Sequence, residues 1–106
     1  MAKFLIKAAY TAEGTKGLLK EGGTKRAAAV QKVVEGLGGK VEAFYFTFGD
    51  ADVVTIVDLP DAISAVAFSL TVNATGAAES STTPLVSAQE LDQACKKPVK
   101  YRAPGA

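Results

Sequence analysis

Histidine is absent from the 106-residue sequence, and this absence excludes several kinds of site. Without an imidazole there is no Ser-His or Cys-His catalytic pair and no histidine ligand for zinc or haem iron. The single cysteine, Cys95, excludes an internal disulfide bond and a cluster of metal-binding thiolates. Any catalysis would depend on carboxylates, lysine, tyrosine or the backbone, and we expect no metal or other cofactor.

Excess charge and long apolar runs are missing as well. The formal net charge is only +1, which provides no long-range field to attract nucleic acid or an anionic membrane surface. No apolar run approaches the roughly 20 residues that span a bilayer, and the N-terminus lacks the pattern of a signal peptide. We therefore expect a cytoplasmic protein without nucleic-acid or membrane partners.

The sequence does contain enough apolar residues for one hydrophobic core. Hydrophobic residues make up 48% and charged residues 22% of the chain, which is typical of a globular domain rather than of a disordered segment. A chain of this length is long enough for one compact domain and too short for two. We interpret residues 1–106 as a single domain.

Periodicity predicts the first half of the chain as a strand, a helix and a further strand. Residues 3–10 alternate, with Phe4, Ile6, Ala8 and Tyr10 on the apolar face. A short helical turn from Thr15 leads to a main helix with Thr24 as its N-cap. That helix has a stripe of Ala27, Val30, Val34 and Leu37. Residues 40–48 form the next strand, which directs Glu42, Phe44, Phe46 and Phe48 to one face.

The second half of the chain is again predicted to alternate between strands and helices. Residues 52–59 form a strand rich in β-branched side chains, and Asp61 is the N-cap of a second helix. The core stripe of this helix is predicted to contain Ile63, Val66, Ala67 and Leu70. A weaker strand lies within residues 77–87, where Pro84 favours a sheet edge or a bulge. Ser87 and Glu90 match a capping box at the start of a short third helix.

This order of elements predicts a ferredoxin-like βαββαβ sandwich with a short C-terminal helix and tail. Both main helices would cover one face of a four-stranded antiparallel sheet and leave the other face open. The open face is predicted to carry Leu5, Lys7, Ala43, Tyr45, Thr47, Val53, Thr55 and Val57. A surface this apolar favours coverage by a ligand or by a second subunit, as in a dimeric α+β barrel or higher oligomer.

Two sheets packed face to face would enclose a pocket lined by Lys7, Tyr45, Thr47 and Thr55, unless their side chains interdigitate completely. Lys7 could bind an anion or act as an acid or base if its surroundings excluded water, because desolvation would lower its pKa. Tyr45 could orient a ligand oxygen. We select Lys7, Tyr45, Thr47 and Asp52 as candidate ligand-binding residues.

The segment FYFTFGDADVV, residues 44–54, places Asp50 and Asp52 in the connection between two strands. Closely spaced carboxylates can share a proton or hold a divalent cation. Turn formation explains them more simply, since aspartate hydrogen-bonds to its own backbone and Gly49 tolerates a positive φ. We expect both aspartates to act mainly in reversing the chain.

The same segments resemble the GYD domain family. FLIKAAYTAEGTKGL resembles the family's first strand and its Thr-x-x-Gly turn, here Thr11 and Gly14, and Arg26 lies where the family often has an arginine. FYFTFGDADVVTIVDLPD resembles the segment for which the family is named. Gly49 and Asp52 match that motif, but Ala51 replaces its tyrosine. The resemblance implies a ferredoxin-like, oligomeric protein and no particular reaction.

Three functions are consistent with these observations. The first is a homo-oligomer that binds a small apolar or anionic molecule at a subunit interface. The second is a cofactor-independent oxygenase or isomerase acting on a small aromatic or carbonyl substrate, with Lys7 or Asp52 moving a proton. The third is a purely structural self-assembly module. Similarity of fold to proteins of known activity does not choose among these three functions.

Overall fold

The computed structural model describes all 106 residues, which form a four-stranded sheet and four helices. In chain order the elements are β1 (Ala2–Tyr10), α1 (Ala12–Glu21), α2 (Gly23–Gly36), β2 (Lys40–Phe46), β3 (Val53–Leu59), α3 (Ala62–Ala74), β4 (Ala78–Leu85) and α4 (Ala88–Cys95). The strand order is β2-β3-β1-β4, and every neighbouring pair is antiparallel. This small α+β architecture is compatible with the predicted ferredoxin-like sandwich. None of the helices combines the length and the apolar character needed to cross a membrane.

The hydrophobic core lies between the sheet and helices α2 and α3. Its buried side chains come from both layers: Phe4, Ile6, Val34, Val57, Leu59, Ala65 and Phe68. Helix α2 packs against β2, and α3 packs against β4 and β3. The two helices therefore cover one face of the sheet, and the other face is left uncovered by the chain's own helices.

Strand β3 presents the opposite side chains to the two faces from those predicted. Val53, Thr55 and Val57 were expected on the open face, but all three are buried on the helix side. Thr55 pairs with the core residue Ile6 of β1, which determines the alternation along the whole strand. Because side chains alternate with a period of two, an error of one residue in register exchanges the two faces completely. Val54, Ile56 and Asp58 occupy the open face instead.

Strand β2 contains an irregularity that no alternating pattern reveals. The register shifts between Val41 and Ala43, so that Glu42 is an extra residue in the strand. Val41 and Phe44 consequently both pair with helix-side residues of β3, although three positions separate them. Glu42 was predicted on the phenylalanine face, but the bulge places its carboxylate 3.1 Å from Lys3 Nζ. Phe48 lies beyond the end of the strand and is 98% exposed.

Helix α3 is also rotated relative to the prediction. Ile63, Val66 and Leu70 are 79%, 56% and 66% exposed, whereas Ala65 and Phe68 are buried. Ala67, which was assigned to the same core stripe, is exposed as well. The polar residues of this helix are dispersed around it, so they form no single polar face that would define its orientation.

Two of the four helices start at the capping residue predicted from the sequence, and the other two start elsewhere. Asp61 accepts a hydrogen bond from the Ser64 N–H, and the capping box of Ser87 with Glu90 is present, so both predicted starts are confirmed. Helix α1 starts earlier than the predicted turn, after Thr11 as N-cap. Helix α2 starts after Gly22 rather than at Thr24, and its N-terminus has no side-chain cap.

The C-terminal segment, residues 86–106, extends away from the rest of the chain, and every residue in it is exposed. We refer to this segment, which includes α4, as the C-terminal arm. The radius of gyration is 16.8 Å, compared with about 13 Å for a compact chain of this length. Strand β4, which precedes the arm, lies at the sheet edge and contains Pro84, as predicted.

Candidate functional site

A cavity of about 260 Å³ lies between the sheet and helices α2 and α3, and it is partly open to solvent. Most of its lining side chains are apolar. The lining contains Ile6, Ala8, Tyr10, Arg26, Val30, Val33, Phe44, Val53, Thr55, Phe68, Thr71, Val72, Thr75, Ala77, Ala78 and Ser80. The cavity is therefore on the helix-covered side of the sheet rather than on the open face.

The sizes of the strand side chains explain why this space is not filled. At one end of the sheet, Phe4 and Leu59 occupy the region between the layers. At the other end, the corresponding positions of β1 and β4 hold Ala8, Ala78 and Ser80. Ala8 and Ala78 have only methyl side chains, and the Ser80 side chain contacts α3 through its short hydroxyl, at Asn73 and Ser69. Because protein cores are otherwise close-packed, an unfilled space of this size is an exception to normal packing.

Polar groups are few in the cavity, and several are already hydrogen-bonded to the protein. The Thr55 hydroxyl donates to the Ala43 carbonyl oxygen at 2.7 Å. The Ser80 hydroxyl lies 3.0 Å from Asn73 Oδ1, to which it donates. The Tyr10 ring is half-buried, and this burial raises the pKa of its phenol, an effect that the nearby Arg26 charge opposes. Tyr10 and Arg26 are therefore the groups most available to a ligand.

Arg26 is the only charged residue in the lining. It lies near the start of α2, and its Nη1 is 3.8 Å from the Glu21 carboxylate. Its Nε atom is buried and has no hydrogen-bond partner. Buried polar atoms are nearly always paired in native proteins, so this unpaired donor is an unusual feature of the site.

Lys7 and Tyr45, two of the residues predicted from the sequence, lie on the open face. Both pair with Val54, Lys7 from β1 and Tyr45 from β2, so the three residues form one row across the sheet. Lys7 is exposed, and Tyr45 is 71% exposed. Lys7 also lines a shallow depression of about 350 Å³ with Asp50 and Glu79. Within one subunit these side chains remain open to solvent.

Thr47 and Asp52 hold the connection between β2 and β3 together. The Thr47 N–H donates to the Asp52 carbonyl oxygen at 2.8 Å, and the Asp52 N–H donates to the Ala8 carbonyl at the same distance. The Asp52 carboxylate accepts a hydrogen bond from the Tyr10 N–H at 2.8 Å. Asp52 thus ties the hairpin to the end of β1. Neither Thr47 nor Asp52 forms an enclosed pocket with Lys7 and Tyr45.

Two acidic residues of the open face, Asp58 and Glu42, form ion pairs with Lys3. Lys3 Nζ lies 3.0 Å from Asp58 Oδ1 and 3.1 Å from Glu42 Oε1. The hydrogen bonds that Lys3 donates to Asp58 and, to a smaller extent, to Glu42 raise the pKa of Lys3. No group of three or more cysteine, aspartate or glutamate side chains has an arrangement that could hold a metal ion.

Two residues of the cavity were not selected as candidates from the sequence. Tyr10 was placed on the apolar face of β1, but nothing in the alternation distinguished it from a core side chain. Arg26 was noted only in the family resemblance, because no helical period predicts where a long side chain lies. The cavity itself depends on small residues from different strands, which a single segment cannot reveal.

Together, these features define a small α+β protein with an apolar cavity under its helices and one arginine at that cavity. The sequence profile of the GYD domain matches residues 4–95. The chain belongs to the GYD domain family. Comparisons with curated proteins and with solved structures give no significant match.

The structure explains several residues on which the resemblance rested. The Thr11 hydroxyl accepts from the Gly14 N–H and donates to the Gly76 carbonyl, while a Cβ on Gly14 would overlap the Ala77 carbonyl. These contacts join α1 to the start of β4. Gly49 does not adopt the positive φ that the turn was expected to use, and its surroundings are open. Ala51, at the position of the family tyrosine, is buried.

Proposed function

We propose that the protein is a homo-oligomer that binds a small, mainly apolar molecule, and that the ligand occupies the cavity under α2 and α3. The observation that supports this proposal most strongly is the unfilled apolar space beside Arg26. The proposed ligand site therefore lies inside each subunit. The residues Lys7, Tyr45, Thr47 and Asp52 remain predictions for a surface enclosed by a second subunit.

The lining of the cavity is typical of a small-molecule site, and its volume of about 260 Å³ lies just below the usual range of roughly 300 to 1,000 Å³. Ligand sites are mostly apolar, contain a few polar groups that orient the ligand, and commonly measure several hundred Å³. A cavity of roughly 150 Å³ accommodates benzene, so the volume here has room for on the order of ten non-hydrogen atoms. A molecule of that size could contact Phe44, Phe68 and Val30 from three sides.

Binding is favoured over catalysis by the chemistry of the lining. It contains no carboxylate, lysine or cysteine, so no group in it is an evident general base near neutral pH. The Tyr10 phenol, whose pKa burial raises, is held in its neutral form and can donate a hydrogen bond. The oxygenase or isomerase alternative, with Lys7 or Asp52 moving a proton, stays a prediction without a supporting contact.

Self-association is supported by apolar side chains that the single chain leaves uncovered. The open face presents Leu5, Val54 and Ile56, with Tyr45 beside them. Contiguous apolar surface of this kind usually marks an interface. The C-terminal arm carries a further exposed apolar side chain, Leu91 in α4. A dimeric α+β barrel, formed by two open faces, would bury the first group of residues. We propose this assembly for the GYD domain protein.

Native mass spectrometry of gently purified protein tests the ligand site. The wild type is expected to carry a discrete additional mass per subunit, which Val30→Trp eliminates because the indole fills the cavity. Gln31→Trp is the matched control, since it adds the same side chain at the adjacent exposed position of α2. Thr71→Trp, at the exposed rim, provides a second blocking variant if Val30→Trp does not fold. The same additional mass in a folded blocking variant would refute the cavity as the site.

Light scattering during size exclusion tests the assembly separately. The wild type is expected to have at least twice the mass of one chain, and Ile56→Lys to have the mass of a single chain. The substitution places a charge in the centre of the open face, from which a monomer can extend it into water. Gln31→Lys adds the same charge outside that face and is expected to leave the mass unchanged. A monomeric wild type would contradict the proposed assembly.

A further inference from the structure

We infer that the cavity takes an amphipathic carboxylate, whose apolar part lies between the helices and the sheet and whose carboxylate pairs with Arg26. This inference rests on the proposed ligand site and adds the chemical class of the ligand. It follows from the unpaired Arg26 donor, from the charge of the lining and from the volume of the cavity.

The Arg26 side chain has hydrogen-bonding capacity that the protein does not use. A guanidinium has five N–H donors in a rigid planar arrangement that matches a carboxylate through two parallel hydrogen bonds. The Nε atom is buried and has no acceptor. Nη1 is 3.8 Å from Glu21 Oε2, which exceeds hydrogen-bond distance. Nε–H and one terminal N–H therefore form an available pair of donors.

The pairing with Glu21 is too weak to complete the site. The side chains of Arg26 and Glu21 are 36% and 32% exposed, so solvent screens their attraction. The distance between them permits a single long contact rather than a two-bond pair. Glu21 itself does not line the cavity. The charge of Arg26 is thus only partly neutralised by the chain itself.

The rest of the lining is compatible with one negative charge next to Arg26. No acidic side chain lines the cavity, although, in addition to its burial, the charges of Glu21 and Asp52 raise the pKa of the Tyr10 phenol. The Tyr10 phenol is close enough to Arg26 for the arginine charge to affect its pKa. Its raised pKa keeps the phenol protonated near neutral pH, and a protonated phenol can donate to a carboxylate oxygen.

The apolar part of the ligand follows from the remaining walls. Phe44 from β2, Phe68 from α3 and Val30 from α2 surround the space with hydrocarbon. The volume is sufficient for a single ring with a short carboxylate chain, on the order of ten non-hydrogen atoms. A doubly charged phosphate would require more donors than this lining offers, so a planar monoanion is the better match.

Isothermal titration calorimetry with two isosteric probes tests the inference on the full chain. The probes are 3-phenylpropanoate and 3-phenylpropanamide, which have the same shape and differ in charge. For the wild type we expect the acid to bind about tenfold more tightly than the amide, the low end of the range for a charge-assisted hydrogen bond. Inorganic phosphate is titrated as a competitor and is expected not to displace the acid.

Substitutions at Arg26 and at the adjacent Lys25 distinguish a direct contact between Arg26 and the ligand from a general effect of positive charge. Arg26→Gln is expected to abolish the preference for the acid while retaining binding of the amide. Lys25→Gln removes the same charge from an exposed position outside the lining, so the preference is expected to remain. Arg26→Lys keeps the charge and loses the planar pair of donors, so an intermediate preference is expected. It also serves as the test if Arg26→Gln does not fold.

The possible failures have different meanings. Equal affinity of the wild type for the two probes, with both abolished by Val30→Trp, would overturn the carboxylate inference and leave the proposed ligand site intact. An acid preference that survives in Arg26→Gln would also overturn the role of Arg26. Failure of the wild type to bind either probe would overturn the inference for this class of ligand. If the protein also carried no additional mass by native mass spectrometry, the proposed site would fail with it.

Discussion

Replacing Asp52 by alanine is expected to destabilise the fold measurably, because this carboxylate connects the β2–β3 hairpin to the last residue of β1. Asp52 Oδ2 accepts a hydrogen bond from the Tyr10 N–H at 2.8 Å. None of the backbone hydrogen bonds of the turns and loops gives this N–H a second acceptor. A hydrogen bond to a charged group contributes about 1.5 to 3 kcal/mol. Asp52 is half-buried, so water can partly satisfy the orphaned N–H. We therefore expect a loss of about 1.5 kcal/mol, the low end of that range.

Urea unfolding followed by circular dichroism measures this loss directly, and thermal unfolding provides a second estimate. For a chain of 106 residues, 1.5 kcal/mol corresponds to a decrease in Tm of roughly 7 °C. Asp52→Asn keeps an acceptor oxygen but not the charge, so it should lose less than Asp52→Ala. Asp50→Ala is the control, because Asp50 is exposed and accepts no hydrogen bond from the protein. Its effect should lie within about 0.5 kcal/mol of zero.

A different pattern would refute the structural role of Asp52. If Asp52→Ala were as stable as Asp50→Ala, the hydrogen bond to Tyr10 would not be a significant part of the folding energy. If stability were unchanged and a retained ligand were lost, the carboxylate would have a direct part in binding. The comparison therefore separates the two interpretations of this aspartate, turn formation and chemistry.

Two further predictions concern residues close to the cavity. Gly14→Ala is expected to cost more than about 3 kcal/mol in urea unfolding, because the added Cβ would overlap the Ala77 carbonyl. Gly17→Ala, with open space around it, should be neutral or slightly stabilising, and equal effects of the two substitutions would contradict this packing. The Tyr10 phenol should ionise at a higher pH than an unperturbed tyrosine in a titration followed at 295 nm, because its burial raises its pKa. The stability that the neutral Tyr10 phenol contributes is present below the unfolded pKa of about 10. It is lost as the pH rises through the higher pKa of the folded state. The late-ionising phase should be absent in Tyr10→Phe, which would assign that phase to Tyr10.

The element order was predictable because each strand and helix has a local pattern or cap. Asp61 and the Ser87–Glu90 capping box defined two helix starts from sequence alone, and both are present. These features involve contacts between residues three positions apart. Their geometry therefore does not depend on how the rest of the chain packs.

The faces of the elements were less predictable, since they depend on contacts between distant segments. Thr55 lies in a strand that is apolar on both sides, and only its pairing with Ile6 determines which side meets the helices. The bulge at Glu42 likewise depends on the register of two strands. In α3, Ile63 and Phe68 are equally suitable core residues by composition, and the sheet beneath decides between them.

The site that we propose from the structure differs in position from the site predicted from the sequence. The expectation of a small apolar or anionic ligand rested on Lys7 and Tyr45, which lie on the open face and are exposed. The cavity lies on the opposite side of the sheet and contains Arg26 and Tyr10. It results from Ala8 and other small side chains on several strands, and no motif along the chain marks such a space.

The most direct test is a crystal structure of the GYD domain protein grown with 3-phenylpropanoate. We predict that the phenyl ring lies under α2 and α3, between Phe44 and Phe68, and that both carboxylate oxygens are within hydrogen-bond distance of the Arg26 guanidinium. Density for the ligand on the open face next to Lys7 and Tyr45, with the cavity unoccupied, would contradict the proposed site.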